Sequence, residues 1–168
     1  VCSSDLGFAL YLHGIGAPVV PTIDWRAQFK ILFPNGAEFK VDAAHDHKGS
    51  SIYNPLHGQK RTSLFEEDAD LYIAGHRHNW ALACEEAADG RVLNFARARG
   101  YKFHDEYALR WQFPEQQQGA AITAIFDPLA KSPTERVRMF ADTEAAAKYL
   151  TFLRSGFEKA AKRPATQI

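Results

Sequence analysis

Cysteine is nearly absent: the 168 residues hold two, Cys2 and Cys84. That excludes a disulfide scaffold and a cysteine-built zinc site, and it favours a reducing, cytoplasmic setting. No apolar run approaches the ~20 residues that span a bilayer, so no membrane partner is expected. No basic stretch followed by an apolar core opens the chain, so no signal peptide is read there. Charge of one sign is lacking too. Twenty Lys and Arg balance twenty Asp and Glu, for a formal net charge of zero. No overall field draws the chain to nucleic acid or to an acidic membrane, although bound metal ions can make a phosphate site locally positive. What remains is ordinary globular composition, 46% hydrophobic and 24% charged, long enough for one domain with a core and not comfortably for two.

The first residue is Val1, and residues 1–6 read VCSSDL. This hexapeptide is similar to the translation of a common sequencing adapter and is read as a non-native leader, with the coding sequence cut there. Residues 8–25 show no clean period. From residue 27 an alternating run, AQFKILF, meets Pro34-Asn35-Gly36 and a second run, AEFKVDAA. Asn-Gly between alternating runs predicts a hairpin whose turn residues tolerate positive φ. Asn54-Pro55 predicts a helix through Glu66 with Pro at its first position. Asp70 to Gly75 reads as a short buried strand. Two strands follow, Trp80 to Glu86 and Arg91 to Arg97, joined at Asp89-Gly90. Ala120 to Phe126 and Val137 to Phe140 complete the strands.

The last element is a helix over 142–163, capped by Asp142 or Thr143. Ala146, Tyr149, Leu150, Leu153, Phe157 and Ala160 form its apolar face. Lys159, Lys162 and Arg163 suit its C-terminal end, Pro164 stops it, and 164–168 form a tail. The element order predicts an α/β or α+β fold with a mixed sheet.

Seven histidines occur, at 13, 45, 47, 57, 76, 78 and 104. His76 and His78 directly follow a buried strand and Gly75, which frees the backbone to turn. His45 also stands at a strand end. Sites in layered α/β folds collect at strand ends, and neutral imidazole is a common metal ligand. His45, His76 and His78 are therefore expected to converge on one rim, with His47 the alternative in its segment and otherwise a supporting or exposed residue.

Gly75-His76-Arg77-His78 resembles the Gly-His-x-His motif of the calcineurin-like metallophosphoesterases. His45 resembles that family's isolated fourth-motif histidine. The stretch 45–61, HDHKGSSIYNPLHGQKR, is similar to a bacterial and phage subgroup, and a looser likeness runs from about Trp25 to Pro128. The resemblance implies a β-sandwich with flanking helices, of which 7–141 would be the C-terminal part. It implies a phosphoester hydrolase with two divalent ions such as Mn, Fe or Zn. His76 and His45 would bind one ion and His78 the other, and an activated water would attack a phosphomonoester or phosphodiester. The chain departs from the family in three motifs: the N-terminal Asp-x-His, the Gly-Asp-x-x-Asp and the Gly-Asn-His-Asp/Glu are all absent. The bridging carboxylate and the leaving-group histidine go with them, so the chain alone is expected to be inactive.

Around these histidines the reading is less specific. Asn54, His57 and Arg61 are expected either to face a substrate phosphate from a helix start, with His57 a candidate catalytic group, or to cap that helix. Asp46 either orients a ligand histidine or is solvated. Arg97, Arg99, Tyr101 and Lys102 are read as solvated strand-end charges, with a phosphate or nucleic-acid backbone as the alternative. His13 and His104 are read as structural or exposed, and Trp25, Trp80 and Trp111 as core. Two other functions compete: a cupin-like metalloenzyme recruiting Glu85 and His104, and a non-catalytic scaffold. The apolar surface of the N-terminal third is expected to be partly exposed.

Overall fold

The computed structural model describes residues 25–66, 68–100, 110 and 117–161, with side chains of the last helix described to residue 156. The expectations for the leader 1–6, Cys2, His13, Tyr101, Lys102, His104, Trp111, the side chains of Phe157, Lys159 and Ala160, and residues 162–168 lie outside the described residues.

Among the described residues, seven strands and two longer helices are ordered β1 (Arg26–Leu32), β2 (Glu38–Ala44), α1 (His57–Phe65), β3 (Leu71–Ala74), β4 (Ala81–Glu86), β5 (Val92–Arg97), β6 (Thr123–Phe126), β7 (Val137–Phe140) and α2 (Thr143–Ala161). Five strands make one mixed sheet in the order β1-β2-β3-β5-β4, and β6-β7 pair separately. β2, β3 and β5 run parallel, while β1 and β4 close the two sides antiparallel. The chain thus passes from β3 to the edge strand β4 before β5 returns to fill the place between them. The expected class, mixed α and β on a mixed sheet, holds.

Both hairpins form where Asn-Gly and Asp-Gly stand, but by a different turn. Gly36 N donates to Phe33 O and Phe33 N to Ala37 O; Gly90 N donates to Ala87 O and Ala87 N to Arg91 O. Only the glycines take positive φ, 83° at Gly36 and 80° at Gly90. This is a type I turn closed by a left-handed glycine, not the two-residue turn with both residues at positive φ. Asn35 and Asp89 instead turn their side-chain oxygens onto the next strand, accepting from Ala37 N at 3.2 Å and Arg91 N at 3.1 Å. The first helix starts later than expected, at His57, and Pro55 lies in the turn before it. Asp142 rather than Thr143 caps α2, its Oδ1 accepting from Glu144 N at 2.8 Å.

Strand alternation sorts the sheet into two faces. Phe39, Val41, Leu71 and Ala96 meet Val137 from the β6-β7 ribbon, with Phe126 packed edge-on to Phe39. Arg136 fastens this layer: it donates to Glu38 O at 3.0 Å and lies over the Phe39 ring at 4.6 Å. On the other face Tyr72 and Phe95 stack at 5.4 Å and pack with Leu56 and Ala69 beneath α1. Asp42 shares that face, opposite Tyr72 in register. Trp25, Phe29 and Leu32 stand exposed along β1, which is the apolar surface expected in this third of the chain.

Candidate metal centre

Three parallel strands end level with one another: Ala44 pairs with Ala74, and Ala74 with Arg97. The chain leaves β2 at His45 and β3 at Gly75, so two turns lie side by side on one edge of the sheet. A backbone bond from Gly75 N to His45 O, 3.2 Å, ties them. His45 Nε2 and His76 Nδ1 then meet at 2.7 Å, with ring centroids 4.6 Å apart. One nitrogen carries the shared proton and the other accepts it. The Trp25 ring packs against the His45 ring, centroids 4.8 Å apart, and the Trp25 carbonyl accepts from His45 N at 2.9 Å. Trp25 is 55% exposed, packs on a candidate ligand and is not a core residue. Trp80 is partly buried and lies against Gly119.

The turn after β3 is strained at the histidines themselves. His76 has φ 69° and His78 φ 37°, the only non-glycine residues at positive φ among those described. Arg77 N donates to Gly75 O at 2.9 Å, closing a γ-turn about His76 in its rare positive-φ form. Gly75, expected to supply the conformational freedom, is absent from the positive-φ set, and a Cβ there would meet nothing closer than 3.9 Å. Backbone strain of this kind clusters at functional sites. It gives a test. His78→Gly should raise stability by about 0.5–1 kcal/mol in urea unfolding, the left-handed penalty removed less the entropy of glycine. An unchanged or lower midpoint would show that the His78 backbone is relaxed.

The other candidate residues are dispersed. Among the described residues no group of three or more His, Cys, Asp or Glu is arranged to hold a metal ion. His78 is exposed in its turn and does not complete a triad with His45 and His76. His47, the alternative ligand, is buried away from the rim with Nε2 3.1 Å from Asp42 Oδ1. Among the described residues Asp46 accepts from no histidine ring, and it is not a solvated charge; it binds Arg77 and Arg97. Asn54 is a structural residue, its Oδ1 accepting from Leu56 N at 3.0 Å. His57 and Arg61 sit exposed on one side of α1 under the loop, where a Cβ on Gly49 would come within 3.2 Å and 3.3 Å of them. Glu85, the cupin-like candidate, pairs with Lys60 instead.

The arginines overturn their sequence reading most clearly. Arg97 and Arg99 are buried, not solvated strand-end charges. Arg99 is held by the carbonyls of Gln118, Gly100 and Gln117 at 2.9, 3.0 and 3.3 Å. Arg97, 1% exposed, lies in the cross-sheet row of Ala44, Ala74 and Ala81, whose small side chains leave it room.

Bonds of about 2.0–2.1 Å from both nitrogens to one ion, at angles near 90–110°, would set the nitrogens about 2.8–3.4 Å apart and require both rings to turn from facing each other toward a common point. No helix among the described residues is long and apolar enough to cross a membrane. Comparison with protein-family models, curated proteins and solved structures finds no match to this chain.

Proposed function

We propose that His45 and His76 are donors to a divalent metal site of a phosphoester hydrolase, and that this chain alone binds one ion weakly without measurable turnover. The contact of His45 Nε2 with His76 Nδ1 across two adjacent strand-end turns carries the reading. Two imidazoles from residues 31 apart in sequence meet nitrogen to nitrogen on one rim. The likeness of Gly75-His76-Arg77-His78 and of His45 to metallophosphoesterase motifs supplies the reaction class. A divalent ion there would polarise a phosphoryl oxygen and lower the pKa of a coordinated water. The residues of this chain bind and orient: His45 offers Nε2, His76 offers Nδ1, and Trp25 fixes the His45 ring. His57 and Arg61 are the exposed candidates for the substrate phosphate. Two neutral donors without a carboxylate hold a divalent ion weakly, which is why no turnover is expected.

Titration with Zn²⁺ and Mn²⁺, followed by calorimetry, tests this. One saturable site is expected, weakened at least ~10-fold by His45→Ala and by His76→Ala. Trp25 gives a second readout, because Cu²⁺ or Co²⁺ at His45 should quench its fluorescence, a signal lost in Trp25→Phe. Binding that neither alanine alters, or no saturable binding, would support the scaffold reading instead.

A further inference from the structure

The turns that present His45 and His76 are joined by more than the histidines. Asp46 follows His45, and Arg77 follows His76. Asp46 Oδ2 accepts from Arg77 Nε at 2.9 Å, and Oδ1 accepts from Arg97 Nη2 at 3.4 Å and from its neighbour His47 N at 3.0 Å. Arg97 Nη2 also donates to Gln59 Oε1 at 3.2 Å, and Gln59 Nε2 returns to Ala96 O at 3.1 Å, which brings α1 into the same unit. Arg77 Nη2 reaches Gly49 O at 3.3 Å and ties down the loop beyond. One carboxylate therefore gathers both histidine turns, the end of β5 and, through Gln59, the helix.

This arrangement is costly for stability. Arg97 Nε and Nη1 are buried with no hydrogen-bond partner among the described residues. Burial drives its pKa down, and the Asp46 charge opposes that. A buried ion pair with unsatisfied donors is commonly no better for stability than apolar side chains of the same volume. Its distinguishing property is geometric, since it fixes the position of a turn that backbone bonds alone hold at one point.

We propose that Asp46 is a positioning residue, which through Arg77 and Arg97 holds the His45 and His76 turns together so that the two ring nitrogens face each other. This rests on the reading of the pair as metal donors. The test uses Asp46→Asn and, because a buried Arg97 left without a full countercharge can prevent folding, also Arg77→Gln, with Arg77→Lys as the conservative variant. In the metal-free protein, long-range ¹H–¹⁵N NMR of the imidazoles reads the proton shared by His45 and His76. Zn²⁺ calorimetry reads affinity. Asp46→Asn and Arg77→Gln should each lose the shared-proton signature and weaken Zn²⁺ at least ~10-fold, and Arg77→Lys should recover most of both. The thermal midpoint of Arg77→Gln should barely move, because that ion pair is partly exposed. A shared proton that survives in both variants, or a lysine variant no better than glutamine, would overturn the proposal. If the wild type binds no Zn²⁺ and the shared proton still depends on Asp46 and Arg77, the metal reading fails and the positioning role stands.

Discussion

Asp42→Ala is expected to cost about 3 kcal/mol, at the low end of what removing one partner from a buried ion pair costs. Asp42 is wholly buried in the middle of the sheet and accepts from Arg26 Nε at 2.9 Å, Gln28 Nε2 at 3.0 Å and His47 Nε2 at 3.1 Å. Alanine leaves the His47 nitrogen buried without its acceptor. The low end applies because Arg26 is 29% exposed and also pairs with Glu66, so it can turn outward. Against a typical domain stability of about 5–15 kcal/mol the loss is large, and urea unfolding measures it. The acid side gives a second signature. Burial pushes the Asp42 carboxyl up, but hydrogen bonds from His47, Arg26 and Gln28 outweigh it and hold it well below its ordinary 3.8. A depressed carboxyl contributes stability above its unfolded pKa and loses it as pH falls further. Wild-type stability should therefore decline below about pH 4, and the decline should be shallower in Asp42→Ala. Parallel acid limbs for the two proteins would show that the Asp42 carboxyl is not held ionised by its partners.

Gly119→Ala should be about as damaging, near 3 kcal/mol, from two sources that add. Gly119 has φ 75°, which an alanine adopts only at a cost. A Cβ there would also come within 2.1 Å of Trp80 Cγ and 2.3 Å of its Cβ, atoms close to the backbone that cannot swing aside. Retreat of the glycine is blocked as well: its carbonyl accepts from Arg99 N at 2.9 Å, and its N–H donates to Ala141 O at 3.1 Å. Trp80 closely follows the strained histidine turn, so the variant should disturb that turn as well as the fold. A thermal midpoint within a degree or two of wild type would show that Trp80 yields freely.

Local chemistry was legible in the sequence, and charge placement was not. The side-chain oxygens of Asn35, Asp89 and Asp142 each act within a few residues of themselves, and each element they bound was found within a few positions. The meeting of His45 with His76 was legible because both follow strands that run parallel, so strand ends alone bring them together. Arg97 was misread because its partners Asp46 and Gln59 lie 51 and 38 residues away. Its one local signal was a row of small residues, Ala44, Ala74 and Ala81, opposite a long side chain, and reading it requires the register first. His47 was hidden likewise, because only the alternation of β2 places Asp42 on the helix-covered face. Trp25 looked like core by composition, yet it sits at the start of an edge strand, where a ring can only lie across its neighbour.

With β5 placed between β3 and β4, we expect assembly to begin with the local β4-β5 hairpin. The β4-β5 hairpin closes over a short loop and can form on its own, as local hairpins do within microseconds. It must then dock with β5 foremost, because β5 and not β4 lies against β3. Only that docking delivers the Arg97 guanidinium to Asp46. The imidazole pair is thus expected to come into register in the slow, non-local step of folding, after the hairpins are complete.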